Sequence, residues 1–387
     1  MKAVILLSLI CLAPISLEAR EHKRIVVGAG GSNCPEAQFS RIQDAIDAAE
    51  PKDSIHVCSG VYEEQLRITK PVEIEANFDA ILAPKQMQSN ASSLTTGGPI
   101  AAAIYASGAE EISISGLTVD AIASGISSCS PRLIGIYYQN ASGILDSLRI
   151  LNVKLGPGLD GCQSGTGVFV QSGNGGKSVV EIENVFIRDY QKNGITANEP
   201  GTTVMIHKNV VTGIGPTTGA AQNGIQVGFG ATGTITRNLV TSNLWSPCNR
   251  VETCQAVATN ILVVESDGVS VTHNMVGHSQ INIFMDGNHG FVEHNTTFLT
   301  SVFDGVRIEG NDNSVKKNKI SDSAESGIFV QGNDNSIEQN KIANAPIGVL
   351  KTSDSTGNRI EGNHFLNVVV NVQDPPRAVN QIINADL

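Results

Sequence analysis

Charge and aromatic rings are scarce in this chain: 16% of its 387 residues are charged and 4% aromatic, with Trp245 the single tryptophan. Cations are the scarcer sign, 26 against 37 acids, which leaves a net charge of −11. That balance argues against a nucleic-acid partner, which needs a concentrated basic face. No stretch reads as a lone transmembrane helix, so no membrane span is expected. Set beside 39 glycines, these shortages suit stacked strands and tight turns better than a helical bundle.

What the chain has in plenty is repetition. Asn184, Asn209, Asn238, Asn274, Asn295, Asn318, Asn340 and Asn363 each follow a short phrase that opens on a β-branched or apolar residue. The last four intervals are 21, 23, 22 and 23 residues. A second phrase alternates with the first, a Gly-led strand such as Gly167-Val168-Phe169-Val170, Gly305-Val306-Arg307-Ile308 or Gly327-Ile328-Phe329-Val330. Both alternate apolar and mixed positions, the period of a strand with one buried face. Strands that return to the same place every 22 residues or so stack as a parallel coil, with neighbouring rungs about 4.8 Å apart. Buried amides in such a stack satisfy one another along the axis. Upstream the spacing loosens, and segments such as Gly213 to Gln222 and Thr241 to Cys254 read as loops growing from the coil. Gly116 and Ser147 stand where Asn is expected, so the ladder fades toward the N-terminus.

Phe39, Ile42, Ala45, Ile46 and Ala49 fall at helical spacing before Pro51. An amphipathic helix over about 38–50 would cover the open end of the coil, an aggregation-prone edge if left bare. Residues 1–19 read as an export signal: Lys2, an apolar core from Ala3 to Ile15, and Leu17-Glu18-Ala19 before the cut. The expected location is secreted or periplasmic, with residues 20–387 forming one domain. Cleavage would leave Cys34, Cys58, Cys129, Cys162, Cys248 and Cys254, an even set that favours disulfides in an exported protein. Contacts limited to neighbouring rungs favour pairing in sequence order: Cys34–Cys58, Cys129–Cys162, Cys248–Cys254. No CxxC or clustered His accompanies them, so no metal is expected there.

These features together resemble the right-handed parallel β-helix repeat proteins of the pectin-lyase-like superfamily. The stretch Phe39-Ser40-Arg41-Ile42-Gln43-Asp44-Ala45-Ile46-Asp47-Ala48-Ala49, with Gly60-Val61-Tyr62-Glu63-Glu64 after a strand, is similar to the start of pectin methylesterases. The later catalytic phrases of that family are absent, so no catalytic residue carries over. The fold expected is all-β, a coil of about eleven rungs. The resemblance implies an extracellular polysaccharide, acidic ones included, as partner of a monomer. It leaves lyase, hydrolase and epimerase chemistry open.

Several motifs read as structure. Val26-Val27-Gly28-Ala29-Gly30-Gly31 lacks the immediate helix of a dinucleotide loop, because Asn33-Cys34-Pro35 interrupts. Asn311-Asp312-Asn313 and Asn333-Asp334-Asn335 look like calcium loops, yet they recur at the repeat period without the bidentate Glu. Repeated turns account for them, and no cofactor is expected. Asn90, Asn140 and Asn295 head glycosylation sequons, but Asn295 belongs to the inward ladder. His273, His278, His289 and His294 do not fit a helical zinc motif, and His273 and His294 each precede a ladder Asn.

The outward positions of the Gly-led strands carry the chemistry. Alternation puts Tyr137, Phe169, Thr196, Gln226, Leu262, Phe284, Arg307, Phe329 and Leu350 in one exposed column. A second column holds Gln139, Gln171, Asn198, Gly228, Val264, Asp286, Glu309, Gln331 and Thr352. Aromatics beside amides suit a sugar, which makes Tyr137, Phe169, Gln171, Asn198, Gln226, Phe284, Phe329 and Gln331 candidate substrate contacts. The competing account packs these aromatics under loops or against one another. Asp286, Arg307 and Glu309 lie on adjacent rungs with His289 nearby. Carboxylates one rung apart, about 5 Å, match the separation used by retaining glycosidases. A carboxylate with Arg and His could instead abstract a proton beside a uronate. The bland alternative is a set of charges paired across a solvated sheet. A non-catalytic adhesin, envelope scaffold or accessory protein is the rival to an enzyme.

Overall fold

The computed structural model describes residues 22–30, 34–248 and 254–374. The proposed export signal lies outside them. Strand accounts for 51% of the described residues and helix for 2%.

One parallel sheet of 13 strands runs from Arg24–Val27 to Arg359–Glu361, against the eleven or so rungs expected. In each later rung the chain leaves this sheet, turns a first corner and adds a short linking strand such as Lys319–Ser321. It then turns a second corner into a Gly-led strand such as Ser326–Val330, and a third corner back. The linking and Gly-led strands also pair in parallel with their equivalents one rung away. Val168, Ile195, Ile225, Ile261, Ile283, Val306 and Ile328 stack as a fully buried inner row.

Each Gly-led strand begins with an irregularity. The ladder pairs Thr166 with Asn193 and Val168 with Ile195, skipping Gly167 and Gly194. The glycine is demanded by close approach: a Cβ on Gly305 would sit 2.5 Å from Ile320 Cγ2 and 2.9 Å from the Gly327 carbonyl. The residue before the glycine and the residue two after it therefore face the same way. Asn193 Nδ2 donates to Thr196 Oγ1 at 2.8 Å, across that kink.

The ladder exists and runs over seven asparagines, from Asn209 to Asn363. Asn274 Nδ2 donates to Asn295 Oδ1 at 3.0 Å and to the Ile235 carbonyl at 2.9 Å, and the same pattern links the other rungs. Asn184 is not a member. Strand register pairs Glu183 with His207, so Asn184 stands opposite Lys208, and Val185 is the residue level with Asn209. Asn184 sits at φ 54, in the left-handed corner that precedes the ladder, where Ser147 and Gly116 also stand. Leu117, Leu148 and Val185 hold the inward positions upstream, so the polar stack gives way to an apolar one.

The helix Ile42–Ala48 is shorter than the expected 38–50 but buries Ile42, Ala45 and Ile46 as predicted. Its first amide groups would otherwise be orphaned. Glu64 answers them: its carboxylate accepts from Ile42 N at 2.7 Å and Gln43 N at 3.1 Å. That contact explains why the helix and the Gly60-Val61-Tyr62-Glu63-Glu64 phrase occur together. The three disulfides pair in sequence order, as expected.

The Asn-Asp-Asn turns form two further amide ladders. Asn311 Oδ1 accepts from Asn333 N at 2.8 Å, and Asn335 Oδ1 accepts from Asn313 N at 2.8 Å. These amides bond backbone of the next rung, in keeping with repeated turns over calcium loops.

Candidate functional site

The first column faces away from the inner row, as alternation requires, but it is not exposed. Tyr137, Phe284, Arg307 and Phe329 are each at most 3% accessible. This corrects the sugar-platform expectation, and the reason is local. Tyr105, Tyr137 and Phe169 stack on one another with centroids 5.6 and 5.1 Å apart. A loop beyond residue 83 folds back over them and pairs Ala91–Ser92 antiparallel with Pro99–Ser107. Gln171 ties that loop down: its Oε1 accepts from Leu94 N at 3.0 Å and its Nε2 donates to Thr95 Oγ1 at 2.8 Å. Further along, Leu262, Val264, Ile281 and Phe284 pack with Cys248, Val257, Val302 and Phe303 in a second sealed cluster. The column buries apolar surface under loops instead of presenting it to a ligand.

Between these clusters lies a patch of amides. Gln226 Oε1 accepts from Asn193 Nδ2 at 3.1 Å, and Gln226 Nε2 donates to Asn198 Oδ1 at 3.2 Å. Asn193 and Gln226 are buried and Asn198 partly so. The amides bond one another but leave Asn193 Oδ1 buried without a partner among the described residues, and Asn198 is the more accessible of the expected contacts there.

The acidic group does converge. Strand register sets Arg307 between Phe284 and Phe329, with its guanidinium 3.8 Å from the Phe329 centroid and 5.9 Å from that of Phe284. Arg307 Nε donates to Glu309 Oε1 at 2.6 Å and Nη1 donates to Asp304 Oδ2 at 3.1 Å. Ser326 Oγ donates to the other Asp304 oxygen at 2.6 Å. Nη2 of Arg307 is buried with no hydrogen-bond partner among the described residues. Asp304 is fully buried, and burial pushes its carboxyl above the usual range while Arg307 and Ser326 pull against that shift.

Asp286 stands one rung before Glu309 in the second column. Its carboxyl is raised above the ordinary value by burial first, then by the charges of Glu309 and Glu265. Like charge and desolvation both favour the protonated form. Glu309, 18% exposed, is held in place by the guanidinium. His289 is not part of this group. It is 68% exposed on the turn and lies 3.9 Å from Asp312. Gln331 remains half-buried in the column beyond Glu309.

Asp304 and Ser326 were missed by sequence reasoning because the Gly kink breaks the two-residue count. Counting back from Arg307 assigns Gly305, not Asp304, to the outward face. The signal that could have found them is the position before the glycine, polar in Asn193, Asn223, Asp304 and Ser326 alike.

Among the described residues, one set of three potential metal ligands lies close together, Glu181, Glu183 and His207 on the 13-stranded sheet. His207 Nε2 is 2.8 Å from Glu181 and Nδ1 is 3.7 Å from Glu183. Opposite edges of the ring meet different carboxylates, the arrangement of a ring bridging two side chains more than of ligands turned toward one ion. No helix among the described residues is long and apolar enough to cross a membrane.

Residues 246–384 match the model of a family described as periplasmic copper-binding protein (NosD). Among the described residues of that stretch, no three His, Cys, Asp or Glu side chains come together as candidate ligands. No curated protein matches the chain. Among solved structures, a GH136 lacto-N-biosidase from Eubacterium ramulus is similar at 12% identity, with a TM-score of 0.54 over 90% of this chain and 68% of that chain. A DFA-IIIase from Arthrobacter chlorophenolicus A6, without its lid, is 15% identical over 86% of this chain and 84% of that one, with a TM-score of 0.49. A periplasmic alginate epimerase is 13% identical over 87% and 83%, with a TM-score of 0.48. At these identities the likeness reports the fold and not the chemistry. The repeat, the register and the likeness agree: the chain is a right-handed parallel β-helix of the pectin-lyase-like fold.

Proposed function

We propose that this is an exported polysaccharide-processing protein, with Asp286 and Glu309 as a glycosidase carboxyl pair. One observation carries the reading: a carboxyl with a raised pKa stands one rung from a carboxylate anchored by a buried arginine. Adjacent rungs are about 4.8 Å apart, near the spacing of a retaining pair. Asp286 gives its proton to the glycosidic oxygen while Glu309 attacks the anomeric carbon and forms a glycosyl ester. Water, deprotonated by Asp286, then cleaves that ester. Lyase or epimerase chemistry needs a cation to neutralise a uronate carboxylate. Arg307 is committed to Asp304 and Glu309, so hydrolysis is the better fit. The three disulfides suit an oxidising compartment, and the carbohydrate-acting lacto-N-biosidase has the same fold.

The test incubates the purified protein with a polysaccharide panel and follows new reducing ends and unsaturated products. Reducing ends without unsaturation are expected. Asp286→Asn should lower kcat by about 10²–10⁴, while Asp312→Asn, on the turn, leaves it unchanged. Because Asp286 must be protonated, activity should fall as pH rises through its elevated pKa. Unsaturated product, or turnover that survives Asp286→Asn, refutes the assignment. The sealed aromatic column favours a second reading, a non-catalytic scaffold, and binding without turnover across the panel would select it.

A further inference from the structure

The first corner of the coil, where Asn184 proved to stand, has a composition of its own. In consecutive rungs it holds Lys208, Arg237, His273, His294 and Lys317, all exposed and all at φ between 56 and 59. Left-handed positions select glycine, asparagine and aspartate on conformational grounds. Over the same rungs the other corners mix residue types, with Asp189, His278, Leu299 and Asp322 at the second and Glu199, Phe229, His289 and Asp312 at the third, but neither holds a left-handed lysine or arginine there among the described residues. Lysine and arginine gain nothing from this backbone. Their concentration at one corner of a chain with net charge −11 is therefore a feature of charge and not of turn chemistry.

Neighbouring groups leave the middle of the row uncompensated. Lys208 is 3.2 Å from Glu183, but Arg237 and His273 follow Thr236 and Thr272, whose hydroxyls bond each other at 3.2 Å. The His273 and His294 rings stack face to face with centroids 4.9 Å apart. Lys319 and Lys341 extend the cationic surface beside the row, across the ladder asparagines. No ion pair of Arg237 or Lys317 is found among the described residues.

We propose that this corner is a docking rail for a linear anionic glycan with a carboxylate on each sugar. Successive basic side chains are spaced by the rung repeat, about 4.8 Å, with Lys208, Arg237 and Lys317 carrying the fixed charges, and that repeat is comparable to the length of one sugar in an extended chain. Five rungs thus offer a straight row in register with a run of uronate residues. The rail lies between the 13-stranded sheet and the linking strands, across the coil from the Gly-led strands, so it is a second site and does not depend on the carboxylate reading. It also supplies what that site lacks, a free positive charge for an acidic polymer.

The experiment measures binding of polygalacturonate and of its fully methyl-esterified form by titration calorimetry at low and at 0.3 M salt. Arg237→Asn with Lys317→Asn removes two charges and installs a residue that favours the left-handed corner, so folding is preserved. This pair should weaken polygalacturonate binding roughly tenfold or more, the binding should fade with salt, and the ester should not bind. Lys85→Asn with Lys177→Asn, an equal charge change elsewhere, should leave it within about twofold. Unchanged affinity in the rail variant, equal binding of the ester, or equal binding of single-stranded DNA would each overturn the proposal. Glu309→Gln separates the two sites: turnover that survives in this variant refutes only the glycosidase assignment, and rail-dependent binding should be unchanged in it.

Discussion

Arg307→Ala is expected to destabilise the protein by about 3–5 kcal/mol, the cost of leaving a buried charge without its partner. Asp304 is fully buried, and without the guanidinium it keeps only the Ser326 hydroxyl, 2.6 Å away. Phe284 and Phe329 also lose the planar group that fills the space between them. The loss should depend on pH. A carboxyl whose folded pKa is raised favours the fold while protonated, and that contribution disappears as pH rises through the folded value. Asp304 is raised already and will rise further once Arg307 is gone, so the variant should lie closer to the parent at pH 4 than at pH 7. Urea unfolding at the two pH values, with hydrogen exchange to localise the opening, measures both effects. Arg307→Met combined with Asp304→Asn should recover much of the loss, because a neutral pair carries no desolvation cost. A single-site loss below about 1 kcal/mol would mean the pair is open to solvent.

The contrast between what was legible and what was not follows from the range of the forces involved. The repeat, the inner row and the disulfide order could be read because each depends on residues one rung away, and one rung is a fixed count along the chain. Asn184 was misassigned for the same reason. It matches the phrase by type, but pairing of Glu183 with His207 sets it in the corner, one residue short of the ladder. The Gly kink defeated the two-residue count and hid Asp304. The burial of Tyr137 and Phe169 was out of reach because the cover comes from Leu94 and Thr95, more than 70 residues from Gln171. Alternation reports direction; it does not report what a distant loop lays on top. Arg307 and Glu309 were found together because two residues on one strand face the same way whatever covers them.

Asn295→Ala should cost about 3–5 kcal/mol, from several buried groups left unsatisfied at about 1–3 kcal/mol each. The Asn295 Oδ1 accepts from Asn274 N at 2.9 Å and Asn274 Nδ2 at 3.0 Å, and its Nδ2 donates to the Val271 carbonyl at 2.8 Å. Alanine takes these bonds away where water does not reach, since Asn274 and Asn295 are both buried, and leaves Asn274 Nδ2 only its bond to the Ile235 carbonyl. Asn363 closes the stack in a half-buried position, so Asn363→Ala should cost less, because solvent can replace the missing amide. Asn184→Gly should fall within about 0.5 kcal/mol of the parent, as expected for a surface change. Its side chain makes one exposed bond, 2.8 Å to Asp146, and glycine accepts its φ of 54 without strain. Thermal unfolding of the three variants therefore tests the register directly. Equal losses at Asn184 and Asn295 would return Asn184 to the ladder and move the basic corner out of line. A loss confined to Asn295 and graded at Asn363 fixes the corner, and with it the rung-by-rung alignment of Lys208, Arg237, His273, His294 and Lys317.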